Sequence, residues 1–307
     1  NLNFINNDVT GGNPAPVSGA PGVTIGGGES SDTKERVENN DILDSSGSAL
    51  TVNPIPNSLD NAATFDAITY PKGAAVLRQL VTYVGEDNFI TGMRTYFARH
   101  AWGTTTLQDL IDALAEASGR DLQAWRAGWL DTAGTDRLTL EAGADGLVLA
   151  GRGPDGPPRP QVLGVGAYSR SGSGLTRTAF AEVDVQGPRT RVTLPTGADF
   201  YLVNDEDLTF ASTRPAGGLA ELVTSAAELP TAVSRGVVVA TVWDMLTTGE
   251  ATADDAVRCL TSVLAAETSD TVIEPYLRRA GDAAEFWAGD HDRPELLALV
   301  FATCARL

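Results

Sequence analysis

The sequence predicts a multi-domain chain of α and β structure in three successive units: a helical unit, an antiparallel β-sandwich, and an incomplete α-helical unit of solenoid type. Three observations predict it. Apolar residues recur at helical spacing from Tyr70 to Leu130, alternate in short runs after Gly134, and return to helical spacing beyond Pro215. These switches place the units at 41–133, 134–213 and 214–307, preceded by an atypical segment, residues 1–40.

That first segment is rich in Gly, Asn, Ser and Pro, with Gly26-Gly27-Gly28 and Pro14-Ala15-Pro16 as punctuation and Phe4 as its only aromatic. It can bury little apolar area against the entropy of ordering it, so it is expected to be extended or disordered, with at most one short strand over 2–5. Residues 41–64 read as an irregular lead-in containing a turn. In the helical unit, Pro71 suits the first helical position, and Val76, Leu77, Leu80, Val81 and Val84 mark a buried face. Gly85 ends that helix. The next is expected to turn Phe89, Ile90, Met93, Tyr96 and Phe97 to one side. Thr106 and Asp109 form a variant capping box before Leu107, Leu110, Ile111 and Leu114, and Gly119 closes that helix. The fourth helix carries Leu122, Trp125 and Trp129 as core anchors.

Strands are expected over 138–140, 146–149, 161–168, 177–185, 190–194 and 200–203, with a loop over 154–160, and short strands at this density suggest a sandwich. No ionisable cluster stands out among them. The acidic runs Asp205-Glu206-Asp207 and Asp254-Asp255 fall on expected turns or helix starts, where acids serve structure. Further helices are expected from Leu219 and over 233–246, 253–266, 272–279 and 296–305, paired as in an α-solenoid but without a strict repeat. The last shows Leu299, Val300 and Phe301 with no polar cap after it, and the chain begins with Asn1 in place of Met, so the protein is expected to continue at both ends.

Hydrophobic residues make up 42% of the 307, as in a globular protein, and the net charge of −18 argues against nucleic acid as a partner. No run approaches the ~18 apolar residues of a spanning helix, and no basic amphipathic stretch offers a membrane contact. The two cysteines, Cys259 and Cys304, lack metal-ligand spacing and are expected to be buried free thiols, which fits a reducing, cytoplasmic setting.

The most informative stretch surrounds Tyr70, placed at or just before a helix N-terminus whose dipole would favour negative charge in an adjoining cleft. The pattern alone is satisfied by a core or interface tyrosine. However, Ile68-Thr69-Tyr70-Pro71-Lys72-Gly73-Ala74 resembles the Tyr-x-Lys-Gly-Ala segment of the zinc-dependent aminopeptidase N family, gluzincins with a thermolysin-like catalytic domain. The similarity continues through Gly85-Glu86-Asp87-Asn88-Phe89, Gly92, Tyr96, His100, Thr106, Asp109, Asp121, Leu122, Trp129 and Leu130, and returns at 201–209, like the end of that family's sandwich domain. It covers residue 41 onward.

The resemblance implies hydrolytic removal of residues from peptides with a free amino terminus. It also implies one zinc held by an HExxH pair of histidines and a downstream glutamate, the Glu of that motif as general base, and a Gly-x-Met-Glu-Asn loop for the substrate amine. Neither motif occurs in this chain, whose only histidines are His100 and His291. His100 reads as a helix C-terminal residue and His291 as a loop residue, so no zinc ligand is identifiable. Tyr70 is the catalytic candidate that remains; by resemblance its phenol, a neutral donor at pH 7, hydrogen-bonds the oxyanion of the tetrahedral intermediate. Lys72 is expected to pack its stem and solvate its head. The expected function is therefore that of part of a zinc metalloaminopeptidase, inactive alone. The alternative is a non-catalytic peptide- or protein-binding relative whose first forty residues cover Tyr70.

Overall fold

A computed structural model of the chain describes residues 69–143, 146–172 and 174–307. The expectations for residues 1–40 and 41–64 lie outside the described residues. Among the described residues four helices come first: α1 (Thr69–Val84), α2 (Glu86–Arg99), α3 (Leu107–Ser118) and α4 (Leu122–Leu130). Helix α1 starts two residues before Pro71, which the first turn tolerates because its N–H positions have no intrahelical partner there. Thr106 and Asp109 form the expected reciprocal capping box on α3, and Asp121 caps α4 through the amides of Gln123 and Ala124.

The core of this unit gathers Val76, Leu80, Tyr83 and Val84 of α1 with Ile111, Leu114, Leu122, Trp125 and Trp129, together with Val162 from the first strand of the second sheet. Two expected faces are corrected. Leu77 is 55% exposed, because the inward face of α1 runs through Lys72, Val76, Gln79, Leu80 and Tyr83. On α2, Phe97 is 63% exposed and Ile90 also faces outward. The contact that seats α2 is Gly92: a Cβ there would lie 2.7 Å from a Leu114 methyl and 3.1 Å from the Ala113 carbonyl, so the two helices meet backbone to backbone.

Seven strands follow, β1 (Arg137–Gly143), β2 (Gly146–Arg152), β3 (Gln161–Ser171), β4 (Gly174–Val185), β5 (Arg189–Val192), β6 (Phe200–Asp205) and β7 (Ser212–Arg214). They form two sheets, ordered β5-β2-β1-β7 and β4-β3-β6. Leu138, Leu140, Leu147, Leu149 and Val192 of one sheet share a core with Leu163, Val165, Val183, Val185 and Val203 of the other, which is sandwich packing. The expected antiparallel order holds except at β7, a three-residue strand absent from the sequence reading that runs parallel to β1, Arg137 facing Ser212. Strand β3 is buried without alternation from Gln161 to Tyr168, since its second face is covered as well.

The cover is α1 at the Val162 end and, at the Tyr168 end, the C-terminal set of helices: α5 (Leu219–Ser225), α6 (Ala232–Thr247), α7 (Ala253–Leu264), α8 (Asp270–Asp282) and α9 (Arg293–Cys304). Tyr168, Leu175, Phe200 and Leu202 from the sheet join Leu222, Val238, Val242, Val257, Leu260 and Val263 in one core. Arg214 ties β7 to this set through Asp244 at 2.5 Å and Glu250 at 2.5 Å, and Arg137 of β1 reaches the same Glu250 at 2.5 Å. Cys259 is buried as expected, and the desolvation raises its thiol pKa to about 12. Cys304 is exposed, a correction that follows from its place on the outer side of α9. No described helix is long and apolar enough to cross a membrane.

Candidate functional site

Tyr70 is the second residue of α1, so the expected helix entrance is where its backbone lies. Its side chain, and the oxyanion role assigned to it, fall outside the described residues; so does the proposed cover of residues 1–40. What the structure supplies is how the helix carrying Tyr70 is held. Gln79, fully buried on α1, donates to the Val162 carbonyl at 2.7 Å and the Leu208 carbonyl at 2.9 Å and accepts from the Val162 amide at 2.8 Å. Arg78 donates to the Glu206 carbonyl at 2.7 Å. Replacing Gln79 by alanine strips partners from three backbone groups, and we expect a loss of about 2–3 kcal/mol, read from the urea midpoint of the variant.

Lys72 is also on this face. Contrary to the expectation of a solvated head, it is 5% exposed, with Nζ 4.9 Å from the centroid of the Phe210 ring. Burial, reinforced by the charge of Arg159, pushes its pKa down to about 7. Arg159 in turn donates to Asp136 at 3.2 Å and to the carbonyls of Gly128 at 2.7 Å and Ala133 at 2.7 Å. The Asp136 carboxylate accepts from the Arg159 amide at 2.9 Å and from Gln161 at 2.6 Å, and Gln161 accepts from Thr209 at 2.7 Å. Burial raises the pKa of Asp136 despite the neighbouring guanidinium.

A second buried carboxylate lies at the end of β6. Asp205, expected on a turn, is the last residue of the strand and wholly inaccessible, and accepts from Tyr168 at 2.6 Å, Ser234 at 2.8 Å and Arg177 at 3.2 Å. Gly166 makes the room, because a Cβ there would lie 2.2 Å from an Asp205 carboxylate oxygen. Desolvation, with the Asp205 hydrogen bond, raises the pKa of Tyr168. Nothing local marks either cluster: Asp136 and Arg159 are 23 residues apart in two loops, and Arg177 and Asp205 are 28 apart on β4 and β6. The Asp254-Asp255 pair does stand at a helix start, with Asp255 in a capping box with Thr252.

His100 caps the C-terminus of α2, its Nε2 4.0 Å from Asp109, and His291 lies exposed in a turn before α9. Among the described residues no group of three His, Cys, Asp or Glu side chains could hold a metal ion. The described residues therefore do not fit the zinc that the resemblance implies.

Comparison with known proteins converges on one family. Residues 26–129 match the Peptidase family M1 domain, so the match begins inside the segment where sequence reading placed no resemblance. Aminopeptidase N of Streptomyces lividans is 36% identical over 257 residues, 78% of this chain and 30% of that protein. Aminopeptidase N of Lactococcus lactis subsp. cremoris is 38% identical over 84 residues, 27% of this chain and 10% of that one. In fold the chain is similar to Legionella pneumophila aminopeptidase A, solved in complex with aspartic acid, with a TM-score of 0.53 at 14% identity over 80% of this chain and 30% of that one. The chain spans less than a third of the length of each of these relatives. Over these stretches the chain is similar to aminopeptidases N and to the M1 peptidase domain.

Proposed function

We propose that this chain is the tyrosine-bearing part of a zinc-dependent aminopeptidase acting on peptides with a free amino terminus, and that residues 1–307 alone do not turn over substrate. The observation that carries the reading is the M1 match running through α1 to α4 in a chain with two histidines and no HExxH. In this reading Tyr70 donates its phenolic hydrogen bond to the developing oxyanion, and zinc is bound by a part of the protein outside this chain's donor set. A reducing cytoplasmic location is part of the same proposal.

The test is zinc content and hydrolysis of an aminoacyl anilide by the purified chain. We expect substoichiometric zinc and no turnover above background. Stoichiometric zinc with steady turnover that disappears in Tyr70→Phe would overturn the reading. If zinc-binding sequence is supplied and turnover appears, Tyr70→Phe should lower it by about 10²–10³.

A further inference from the structure

We propose that the short connection between β6 and β7, residues 205–210, is a positioning element for the first turns of α1, acting on Tyr70 through Lys72 and Gln79. Its catalytic consequence rests on the function proposed above; its mechanical content does not.

The backbone here is unusual. Asn204, Glu206 and Asp207 have φ of 62°, 70° and 53°, three non-glycine residues within four positions in the left-handed region. A turn needed only to join two strands would be served by glycine, as such conformations are disfavoured for residues with a Cβ. Surrounding structure has to over-determine this one. Asn204 does so locally, donating to the Thr209 carbonyl at 2.8 Å and accepting from the Thr209 amide at 3.0 Å. At the foot of the connection, buried Asp205 is fastened by Tyr168 of the sheet and by Ser234 in the first turn of α6.

What the held shape presents is a row of groups to α1. The Glu206 carbonyl takes the Arg78 guanidinium, the Leu208 carbonyl takes the Gln79 amide, and the Phe210 ring lies beneath Lys72. Phe210 also packs against the core shared by α1 and α4. Residues 72 and 79 are two helical turns apart on one face, so the grip reaches the turn that contains Tyr70. Three elements far apart in sequence thus meet in one fixture: the sheet, the C-terminal helices and the entrance of α1. Asp205 is its anchor, and Lys72 and Gln79 are the positioning residues.

Tyrosines labelled as 3-fluorotyrosine give six ¹⁹F resonances in the full chain, and Tyr70→Phe assigns that of Tyr70. Phe210→Leu keeps apolar volume but removes the ring. It should move or broaden the Tyr70 resonance, leave those of Tyr96, Tyr201 and Tyr276 in place, and speed amide exchange over residues 72–76 by about tenfold or more. Arg78→Ala, which removes the exposed hydrogen bond from α1 to the Glu206 carbonyl, should act in the same direction. If Phe210→Leu does not fold, Arg78→Ala decides the matter. An unmoved Tyr70 resonance with unchanged exchange in a folded variant would overturn the proposal. Equal movement of all six resonances would also overturn it, since the connection would then support the whole fold and not α1 in particular. Neither readout needs zinc or turnover, so a chain inactive in every context would refute the proposed function and leave this inference standing.

Discussion

Alanine in place of Asp136 is expected to cost about 3–5 kcal/mol of unfolding free energy, the largest single-residue effect we anticipate. The carboxylate is fully inaccessible and Arg159 is 8% exposed, so the variant leaves a guanidinium buried without its counter-ion. The Arg159 amide and the Gln161 side chain lose their acceptor at the same time. The pair itself is not a net source of stability. Burial raises the pKa of Asp136 and lowers that of Arg159, so desolvation outweighs their attraction at both ends. Asp136→Asn, which keeps an acceptor without the charge, should therefore cost much less than the alanine. Replacing both partners by apolar residues of similar volume should cost less than either single change. Urea unfolding at pH 7 with an unchanged slope would check all three; an alanine variant within about 1 kcal/mol of wild type would contradict the account.

The second large effect is a dependence on pH set by Lys72. In the unfolded chain its amine holds a proton up to its ordinary value of 10.5, whereas in the folded chain it releases it near 7. Between these values the unfolded chain binds the extra proton, so stability should rise as pH is raised from 7 towards 10. Below 7 both states are charged and the full cost of burying the ammonium is paid. At about 1.4 kcal/mol per pKa unit, the span allows a gain of up to about 4–5 kcal/mol. Two groups act on the amine from outside α1: the Arg159 guanidinium, which favours the neutral form, and the Phe210 ring, which favours the charged one. Lys72→Met should flatten this part of the profile and be the more stable protein at pH 7. Parallel wild-type and Lys72→Met curves over this range would show that the amine is solvated after all.

Much of the fold was legible in sequence where the information is local. The capping box at Thr106 and Asp109, the buried pair Trp125 and Trp129, and the change from helical to alternating spacing after Gly134 each depend on neighbours a few residues away. The errors share the opposite property. Periodicity marks Leu77 and Phe97 as apolar but does not say which face meets a neighbour, and on α2 the choice was made by Gly92 against α3. Strand β7 has three residues and no alternation to display, and its partner β1 is at the far end of the sandwich sequence. Asp205 reads as a turn acid because its partners Tyr168, Arg177 and Ser234 lie on other elements, 28 to 37 residues away. The candidate site was legible through the motif around Tyr70 alone; the machinery that holds α1 belongs to residues 162, 206, 208 and 210, which no spacing rule connects to residue 70.

The parallel pairing of β7 with β1 carries a consequence for how the chain is built. Arg137 faces Ser212, so the four-stranded sheet acquires its last strand only after all the intervening strands have been synthesised and the chain has looped back. Contacts of such sequence separation pay their loop-closure entropy early and are rewarded late, so this edge should close among the last events of folding. Glu250, which accepts from both Arg137 and Arg214, comes later still in the sequence. During translation the sandwich would remain unlatched at that edge until the chain beyond α6 has left the ribosome, and that interval is when an exposed β1 is most open to pairing with another molecule.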